Sequence, residues 1–439
     1  MKLPYREAPP FKAEASLRPF RNAEIVNDRK ISIHWAWVIL GSSFVTLVIA
    51  FSIRTGAYAV LLPEMLRDLR MTKAQGGMIK SSFAIAYLLF SPLMGWLTDR
   101  IGGRWVISFF SLFVGGGAFL MSKTGSLTTS AIFFGIVGIG AAAMWVPIVT
   151  LIQTWFGEKK RGLALGILSP SYGIGFGLMG LIIPVIVMKY DWRAAWAVLG
   201  IAGLFLIILN GLLLRDQPEK IGLSPWNGSI DKGREIPAPS QKMKMGYLEI
   251  TKGSRFWILG ICYFGMSYGT YTVSDFIVTY GTMELEISYS VASLFVTVIA
   301  FSGVIGGILL MALSDYIGRE KCLAIVLILD AFGILFVVFA GSRIPLLMVG
   351  MGWLGFFYGA IWPLYAACVR DYFPKEVAGS ALGLLTIFYG AGAMVSPVLT
   401  GYLADITGTF RWSFGLGGFT VLVAALMIGI LRKPRGLEK

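Results

Sequence analysis

The chain has few charged residues, a single histidine and three widely spaced cysteines. Charged side chains make up 14% of its 439 residues, whereas soluble domains carry about 25%. One histidine excludes a multi-histidine metal site, and the cysteines do not suggest a disulfide framework. The sequence also lacks a phosphate-binding loop, a nucleophile elbow and a dinucleotide fingerprint. We therefore expect no enzyme activity, no ATP-driven pumping, no cofactor and no metal.

Apolar residues are abundant instead. The chain is 56% hydrophobic, with a mean hydropathy of +0.73, which predicts an integral membrane protein. Its net charge of +14 would suggest nucleic-acid binding in a soluble protein. Here the lysines and arginines collect at one set of ends of the apolar stretches, as the positive-inside rule requires. We therefore expect a lipid bilayer around the chain and no nucleic-acid partner.

Twelve stretches are long enough to cross a bilayer, which requires roughly 20 apolar residues per helix. A long polar connection, residues 215–253, separates the sixth stretch from the seventh. The sequence therefore predicts an all-α membrane protein with a tail (1–33), a six-helix bundle (34–214), a linker (215–253), a second six-helix bundle (254–431) and a tail (432–439). The predicted spans are 35–62, 76–98, 104–122, 129–154, 161–189, 194–214, 254–280, 289–313, 321–340, 344–368, 376–403 and 411–431.

The basic residues also predict the orientation. With a cytoplasmic N-terminus, the tails and the cytoplasmic loops hold 28 of the 38 lysines and arginines, so both termini are expected in the cytoplasm. No cleavable signal peptide is expected, because residues 1–33 are polar and basic. The expected location is the inner cell membrane, and the expected state is monomeric.

The two halves repeat each other at an offset of 216 to 218 residues. "GWLTDRIGGRW" (95–105) returns as "MALSDYIGREK" (311–321), and "TWFGEKKRGLALG" (154–166) returns as "DYFPKEVAGSALG" (371–383). Parallel repeats of six spans that face one another are typical of alternating-access transporters. The alternative is a chance likeness of small-residue apolar helices, which three blocks in register argue against.

The first repeated block resembles the loop motif between helices 2 and 3 of the major facilitator superfamily, and the resemblance extends over nearly the whole chain. It implies a twelve-helix transporter in which the loops close the cytoplasmic side. On this basis Asp99 can face the N-terminus of a neighbouring helix while Arg100 and Arg104 pair with carboxylates. A short loop shaped only by the positive-inside rule is the alternative. The predicted gating residues are Asp99, Arg100, Arg104, Asp315 and Arg319.

Two further segments are similar to the monocarboxylate and oxalate/formate-type members: "LRDQPEKIGLSPWNG" (214–228) and "GYLADITGTFRWSF" (401–414). Arg54 falls at, or one residue from, the place where monocarboxylate transporters carry a functional lysine. The resemblance therefore implies that Arg54 binds an anion. A guanidinium in a water-filled cleft offers bidentate hydrogen bonds to a carboxylate. Snorkelling of the arginine to the membrane interface is the alternative.

Asp275 is the other charge well inside a helix that the family places at the cavity. A partly buried carboxylate can carry a proton, and an Arg54–Asp275 ion pair would close the outer side until substrate or a proton arrives. A satisfied helix-bundle aspartate is the alternative. Lys80 is interpreted as a snorkelling residue, Glu64 as an outer-surface residue, and Asp330 as a peripheral residue satisfied by neighbouring helices.

Aromatic residues near the middle of the cavity-lining spans are candidate substrate contacts, because they combine apolar walls with hydrogen-bond donors. Core packing and interfacial belts are the alternatives. The full set of predicted substrate-binding residues is Arg54, Tyr58, Trp145, Tyr172, Tyr271, Trp362 and Tyr389.

The predicted function is secondary transport of a small organic anion, a monocarboxylate first, in symport with a proton. Two alternatives within transport are an anion antiporter and a carrier of dicarboxylates or sugar acids. An alternative of another class is a transporter-like sensor that binds its ligand without moving it.

Overall fold

The computed structural model describes residues 34–227, 247–374 and 377–431, and this part of the chain is helical apart from its connections. The predicted tails, 1–33 and 432–439, and residues 228–246 of the predicted linker lie outside these ranges. Short helices occur at Glu219–Ile221 and Tyr247–Lys252. The long helices are helix 1 (Trp35–Asp68), helix 2 (Lys73–Ile101), helix 3 (Gly103–Met121), helix 4 (Leu127–Trp155), helix 5 (Glu158–Lys189), helix 6 (Trp192–Leu213), helix 7 (Ser254–Ser274, then Ile277–Met283), helix 8 (Tyr289–Ile317), helix 9 (Arg319–Ala340), helix 10 (Ile344–Tyr372), helix 11 (Ala378–Thr407) and helix 12 (Arg411–Ile430).

Eleven of these helices, all except helix 7, are long and apolar enough to cross a membrane within the described ranges. The predicted all-α membrane fold is confirmed, and the predicted span 254–280 corresponds to the interrupted helix 7. We call helices 1–6 the N-half and helices 7–12 the C-half. The exact bundle and linker boundaries stay a prediction.

Local sequence explains several helix ends. Helix 2 begins with a capping box, in which Thr72 accepts from the backbone N–H of Gln75 and the Gln75 side chain accepts from Thr72 N–H. It ends at Gly102, whose φ of +90° strongly favours glycine. Gly318 has the same φ at the matching turn between helices 8 and 9. The repeated loop sequence therefore folds into a repeated backbone conformation.

Two cavity-lining helices are irregular. Helix 1 contains a π-helical turn at Ser52–Ala57, and Arg54 lies within it. Helix 7 is interrupted between Ser274 and Ile277, at the position of Asp275. π-turns and broken helices often occur at functional sites, and in membranes irregular backbone is tolerated where it is buried in protein or lines a cavity.

The helix ends define two sides of the molecule. The Trp35 indole donates to the Leu213 carbonyl at 3.2 Å, and the Trp155 indole donates to the Arg215 carbonyl at 2.6 Å. These contacts place the start of helix 1 and the end of helix 6 together. We call this side, which also carries the loops after helices 2 and 8, the terminal side, and the opposite side the far side.

The two halves are held together at the far side. Helix 2 packs against helix 11, where the Asp405 carboxylate accepts from the backbone N–H groups of Lys73 and Ala74 at 3.0 and 2.8 Å. Helix 5 packs against helix 8, where Thr297 donates to the Gly177 carbonyl at 2.8 Å. Carboxylates are favoured at helix N-termini, so Asp405 of the C-half stabilises the start of helix 2 in this arrangement.

Glycines allow the backbones of the two halves to approach closely. A Cβ at Gly77 would lie 2.1 Å from the Pro397 carbonyl oxygen, and a Cβ at Gly180 would lie 2.3 Å from the Ser293 carbonyl oxygen. Such contacts between small residues are typical of helix packing in membranes. We call the helix 2–helix 11 and helix 5–helix 8 contacts the two seams.

Substitution Gly77→Ala is expected to open the far side. The added methyl group collides with backbone of the other half, at a cost of about 1–3 kcal/mol to the closed arrangement, roughly a five- to hundredfold shift in population. A cysteine introduced at Ser81, which is buried in the same seam, should then react faster with a membrane-impermeant thiol reagent. The native cysteines Cys262, Cys322 and Cys368 are all buried, which keeps the background low.

Gly95→Ala is the matched control, because a Cβ at this position of the same helix meets nothing within 4 Å. Equal labelling rates in the Gly77→Ala, Gly95→Ala and parent proteins would show that this seam does not limit opening.

Candidate functional site

The Arg54 guanidinium lies between the two halves and has no ion-pair partner among the described residues. Its guanidinium carbon lies 5.3, 5.8 and 5.0 Å from the ring centroids of Phe51, Phe83 and Tyr87. Within the residues that the structure describes, the guanidinium forms no hydrogen bond or ion pair. Cation–π contact leaves its N–H donors available, so Arg54 can accept an anionic ligand.

Residues of both halves surround this guanidinium. Tyr87 and Tyr172 of the N-half and Tyr271 and Tyr389 of the C-half lie within electrostatic range of it. Arg54 therefore points into the space between the halves and is not a snorkelling residue.

The aromatic residues of the N-half continue from Arg54 across to the C-half. The Phe51 ring lies 5.0 Å from Tyr172 and 6.2 Å from Trp145. Trp145 in turn lies 6.4 Å from Trp362, so the predicted tryptophan pair meets between the halves. The side chain of Trp362 is nevertheless 46% exposed. Since the far side is closed, this exposure indicates that the space between the halves opens toward the terminal side.

Two predicted tyrosines meet in the C-half. The rings of Tyr271 and Tyr389 lie 6.1 Å apart, and Tyr389 lies 4.8 Å from Tyr263. Tyr172 of the N-half forms a hydroxyl–hydroxyl hydrogen bond of 2.5 Å with Tyr358 of the C-half. The structure thus brings Arg54, Trp145, Tyr172, Tyr271, Trp362 and Tyr389 into one region.

The predicted Arg54–Asp275 ion pair is wrong. The partner of Asp275 is Lys80, whose Nζ lies 3.1 Å from the Asp275 carboxylate. Both side chains are almost completely buried, at 4% and 0% exposure. Lys80 also donates to the Arg54 backbone carbonyl at 3.1 Å. The interpretation of Lys80 as a snorkelling residue is therefore wrong as well, because its ammonium points inward to an aspartate of the other half.

Tyr58 belongs to this ion pair and not to the space around Arg54. It is fully buried, its hydroxyl donates to the Gly76 carbonyl, and its ring lies 4.9 Å from Lys80 Nζ. The ring also stacks on Phe134 at 5.0 Å. Tyr58 as a substrate contact stays a prediction, and in this conformation its ring lies against the Lys80 ammonium.

The gating residues do not form the predicted ion pairs within the described ranges. The guanidinium of Arg104 donates to the Gly211 carbonyl, and that of Arg100 lies 4.4 Å from the Trp96 ring. Arg319 pairs at 3.5 Å with Asp371 of its own half. Asp99 and Asp315 are exposed. The physical reason is the arrangement of the halves, which meet at the far side and leave the loops of the terminal side apart.

Two other acidic residues lie in different places: Glu64 at the surface and Asp330 in the core. Glu64 forms an ion pair with Arg67 at 2.7 Å and is partly exposed, in keeping with its predicted surface position. Asp330 is buried in the C-half, and its Oδ1 has no hydrogen-bond partner in the described part of the chain. The interpretation of Asp330 as satisfied by neighbouring helices is wrong for this oxygen.

Sequence reasoning missed Tyr87 and Tyr358, although helical spacing indicated both. Tyr358 lies four residues before Trp362, and Tyr87 lies seven residues after Lys80. Residues at these spacings share a helix face. Tyr358 could therefore have been assigned to the helix face of Trp362, and Tyr87 to the helix face of Lys80.

Helices in two matching sets of six, with a guanidinium and several tyrosines between the sets, are typical of a membrane transport protein. The sequence profile of the Major Facilitator Superfamily matches residues 42–310 and 270–439. The chain belongs to this family, as the repeated loop motifs predicted.

The curated relatives of this chain are transporters, and the chain matches them over nearly their whole length. The chain is 25% identical to the probable sulfoacetate transporter SauU of Cupriavidus necator, covering 89% of this chain and 92% of the relative. It is 24% identical to the probable galactarate/D-glucarate transporter GarP of Escherichia coli, covering 91% and 95%. It is 22% identical to monocarboxylate transporter 12 of Rattus norvegicus, covering 92% and 87%. The chain is thus a multi-pass transport protein and not an enzyme.

Solved structures confirm the fold. A bacterial homologue of the human lysosomal transporter Spinster, in an inward-facing and unoccupied conformation, matches with a TM-score of 0.69 at 15% identity, covering 91% of this chain and 96% of that chain. The nucleoside transporter NupG matches with a TM-score of 0.72 at 13% identity, covering 90% and 99%.

Proposed function

We propose that the protein is a secondary active carrier of small organic anions and that Arg54 binds the carboxylate of the substrate. The single observation that carries this proposal is the guanidinium of Arg54, which lies between the halves among aromatic rings and forms no direct ion pair within the described residues. Asp275 reaches it only at longer electrostatic range, because its direct partner is Lys80. A buried arginine without a counter-ion is costly in a membrane, and an anionic ligand supplies that counter-ion.

The charge count favours a substrate with one carboxylate at this site. Lys80 is already neutralised by Asp275, which leaves Arg54 to balance one negative charge. The hydroxyls of Tyr87, Tyr172, Tyr271 and Tyr389 lie around it and suit the hydroxyl groups of a hydroxy acid or a sugar acid. The relatives' names, which include monocarboxylate and galactarate/D-glucarate transporters, support this substrate class.

Proton symport by alternating access is the proposed mechanism. Asp275 is a carboxylate at the break of helix 7, paired with Lys80 across the halves. In this proposal, protonation of Asp275 releases Lys80 and allows the far side to part. The loops with Asp99, Arg100, Arg104, Asp315 and Arg319 close the terminal side in the alternate state.

We assign the terminal side to the cytoplasm, because the basic residues of the sequence collect there. In this orientation the conformation described here faces inward. The proposed location is the inner cell membrane, and the proposed state is a monomer. A carrier of dicarboxylates or sugar acids, an anion antiporter and a ligand sensor are the alternatives that the experiment must separate.

The test is transport by purified protein in lipid vesicles, with lactate, glucuronate and glucarate as probes and uncharged glucose as the control. A carrier exchanges a radiolabelled anion against the same unlabelled anion, whereas a sensor binds it without exchange. A symporter also accumulates the anion when only a pH gradient is imposed, and an antiporter requires an anion inside. Exchange of glucose but of no carboxylate would contradict the proposed substrate class.

A further inference from the structure

A second buried carboxyl lies near the middle of helix 9, and the proposed mechanism does not use it. Asp330 occupies the middle of this 22-residue helix and is 2% exposed. Its carboxyl forms no hydrogen bond or ion pair in the described part of the chain, and its Oδ1 is completely enclosed. An aspartate ion without a partner costs about 2.5–3.5 kcal/mol at the centre of a membrane helix. This environment accommodates the neutral acid much better.

Asp330 faces a small cavity whose wall carries further polar residues. Helices 7, 8, 9 and 10 enclose it, and Ser274 and Tyr358 lie on its wall with Asp330. The Ser274 hydroxyl is also buried without a hydrogen-bond partner in the described residues. The cavity has a volume of about 10 Å³, which is enough for one water molecule. The cavity therefore brings the Asp330 carboxyl group together with Thr270, Ser274 and Tyr358, with room for one water.

The cavity is connected to the site between the halves. Tyr358 lies on the cavity wall, and its hydroxyl is bonded to that of Tyr172 in the N-half. Tyr172 lies within electrostatic range of Arg54. Tyr358 therefore links the cavity of Asp330 directly to a hydrogen bond between the two halves.

The titratable and charged groups around Asp330 are few. Helix 10 presents Tyr358, while helix 7 presents Ser274 and carries Asp275, which is paired with Lys80. Helix 8 presents Ile299 to the cavity, and helix 12 carries Arg411 as its only charged residue, at the far-side end. No cation in the described residues thus faces Asp330, and no other carboxylate faces it either.

We propose that Asp330 is a proton-binding site that controls the Tyr172–Tyr358 hydrogen bond and so couples protonation to the contact between the halves. This inference rests on the proposed transport function. With a proton on Asp330, the Tyr358 hydroxyl is free to bond Tyr172. When the proton passes by way of the cavity water to solvent between the halves, that water stays neutral and the carboxylate accepts hydrogen bonds from Ser274 and Tyr358, directly or through the water. A hydroxyl has one proton to donate, so a Tyr358 that donates to the carboxylate no longer donates to Tyr172, and this contact between the halves is weakened.

Asp330→Asn tests this proposal because asparagine has the size of the neutral acid and cannot release a proton. Two measurements are made on full-length protein. The first is the infrared band of a protonated carboxyl group in purified protein, which Asp330→Asn should remove. The second is transport in vesicles, where Asp330→Asn should keep lactate or glucuronate exchange while pH-gradient-driven accumulation falls by about tenfold, a loss within the usual range of coupling between two sites.

Asp68→Asn is the matched control, since Asp68 is an exposed aspartate paired with Arg193 at the surface. It should leave both the infrared band and the accumulation unchanged. An unaltered infrared band in Asp330→Asn, or full gradient-driven accumulation by this variant, overturns the assignment of Asp330. A parent protein that exchanges no carboxylate at all overturns the proposed function instead, while the infrared result still decides whether Asp330 holds a proton.

Tyr358→Phe provides a second test, because phenylalanine keeps the ring and removes the bond to Tyr172. If Asp330 acts through this bond, Tyr358→Phe loses gradient-driven accumulation as Asp330→Asn does, yet retains the infrared band. Normal coupling in Tyr358→Phe would contradict the proposed route.

Discussion

Replacing Arg54 with glutamine is expected to weaken carboxylate binding on the order of a hundredfold. Loss of a charge-assisted bidentate contact costs about 2–5 kcal/mol, of which ~2.7 kcal/mol corresponds to a hundredfold change in dissociation constant. Arg54→Lys keeps the charge but loses the planar fork that matches a carboxylate. We expect it to restore part of the affinity. Titration calorimetry with lactate and glucuronate on purified protein measures the effect.

The control for this experiment is Arg193→Gln. Arg193 is partly exposed and pairs with Asp68 outside the site between the halves, so its replacement should leave the affinity within about twofold, as expected of a surface pair. An Arg54→Gln protein that binds either anion as tightly as the parent would remove the basis for the proposed substrate class.

Breaking the Lys80–Asp275 pair on one side is expected to destabilise the folded protein strongly. Lys80→Met leaves an uncompensated buried carboxylate, and Asp275→Asn leaves an uncompensated buried ammonium. Loss of one partner of a buried ion pair costs about 3–5 kcal/mol. The double variant Lys80→Met/Asp275→Asn removes both charges and should recover most of that stability. Unfolding of the detergent-solubilised protein, measured for the parent, both single variants and the double variant, gives the coupling energy.

The Arg67–Glu64 pair provides the comparison, since it is also a direct ion pair, at 2.7 Å, but is partly exposed to solvent. Glu64→Gln should cost less than about 1 kcal/mol. The double variant should also exchange anions with a much weaker response to a pH gradient, because Asp275 can then no longer carry a proton. Single Lys80 and Asp275 variants as stable as the parent would mean that the two charges are not paired in the protein.

The helices could be predicted from the sequence because each bilayer-crossing stretch is a local pattern of apolar residues. The partners of the buried charges could not. Arg54, Lys80 and Asp275 were each visible as charges inside predicted spans, but the choice between an Arg54–Asp275 and a Lys80–Asp275 pair depends on how helices 1, 2 and 7 are rotated. The π-turn at Ser52–Ala57 changes the rotation of helix 1 by inserting an additional residue into one turn.

The sequence predicted only part of the candidate site, because contacts between helices of different halves are not a local pattern. Trp145 and Trp362 occupy matching positions of the two repeats, so symmetry alone predicted that they act together. The structure places their ring centroids 6.4 Å apart. Tyr358 has no counterpart of this kind in the quoted repeat blocks. Its contact with Tyr172 depends on the distance between the halves, which the sequence does not encode locally.

The two seams have a consequence for the speed of transport. Where the seams are closest, at Gly77 and Gly180, the halves meet backbone to backbone, with little interdigitation of side chains there. Parting such surfaces requires few side chains to leave one packed rotamer and find another. The activation free energy for reversing the carrier should therefore come mainly from a small number of polar contacts, such as those of Asp405 and Lys80. Turnover in this protein would then be tuned by substitutions at those contacts far more than by changes in the apolar interior.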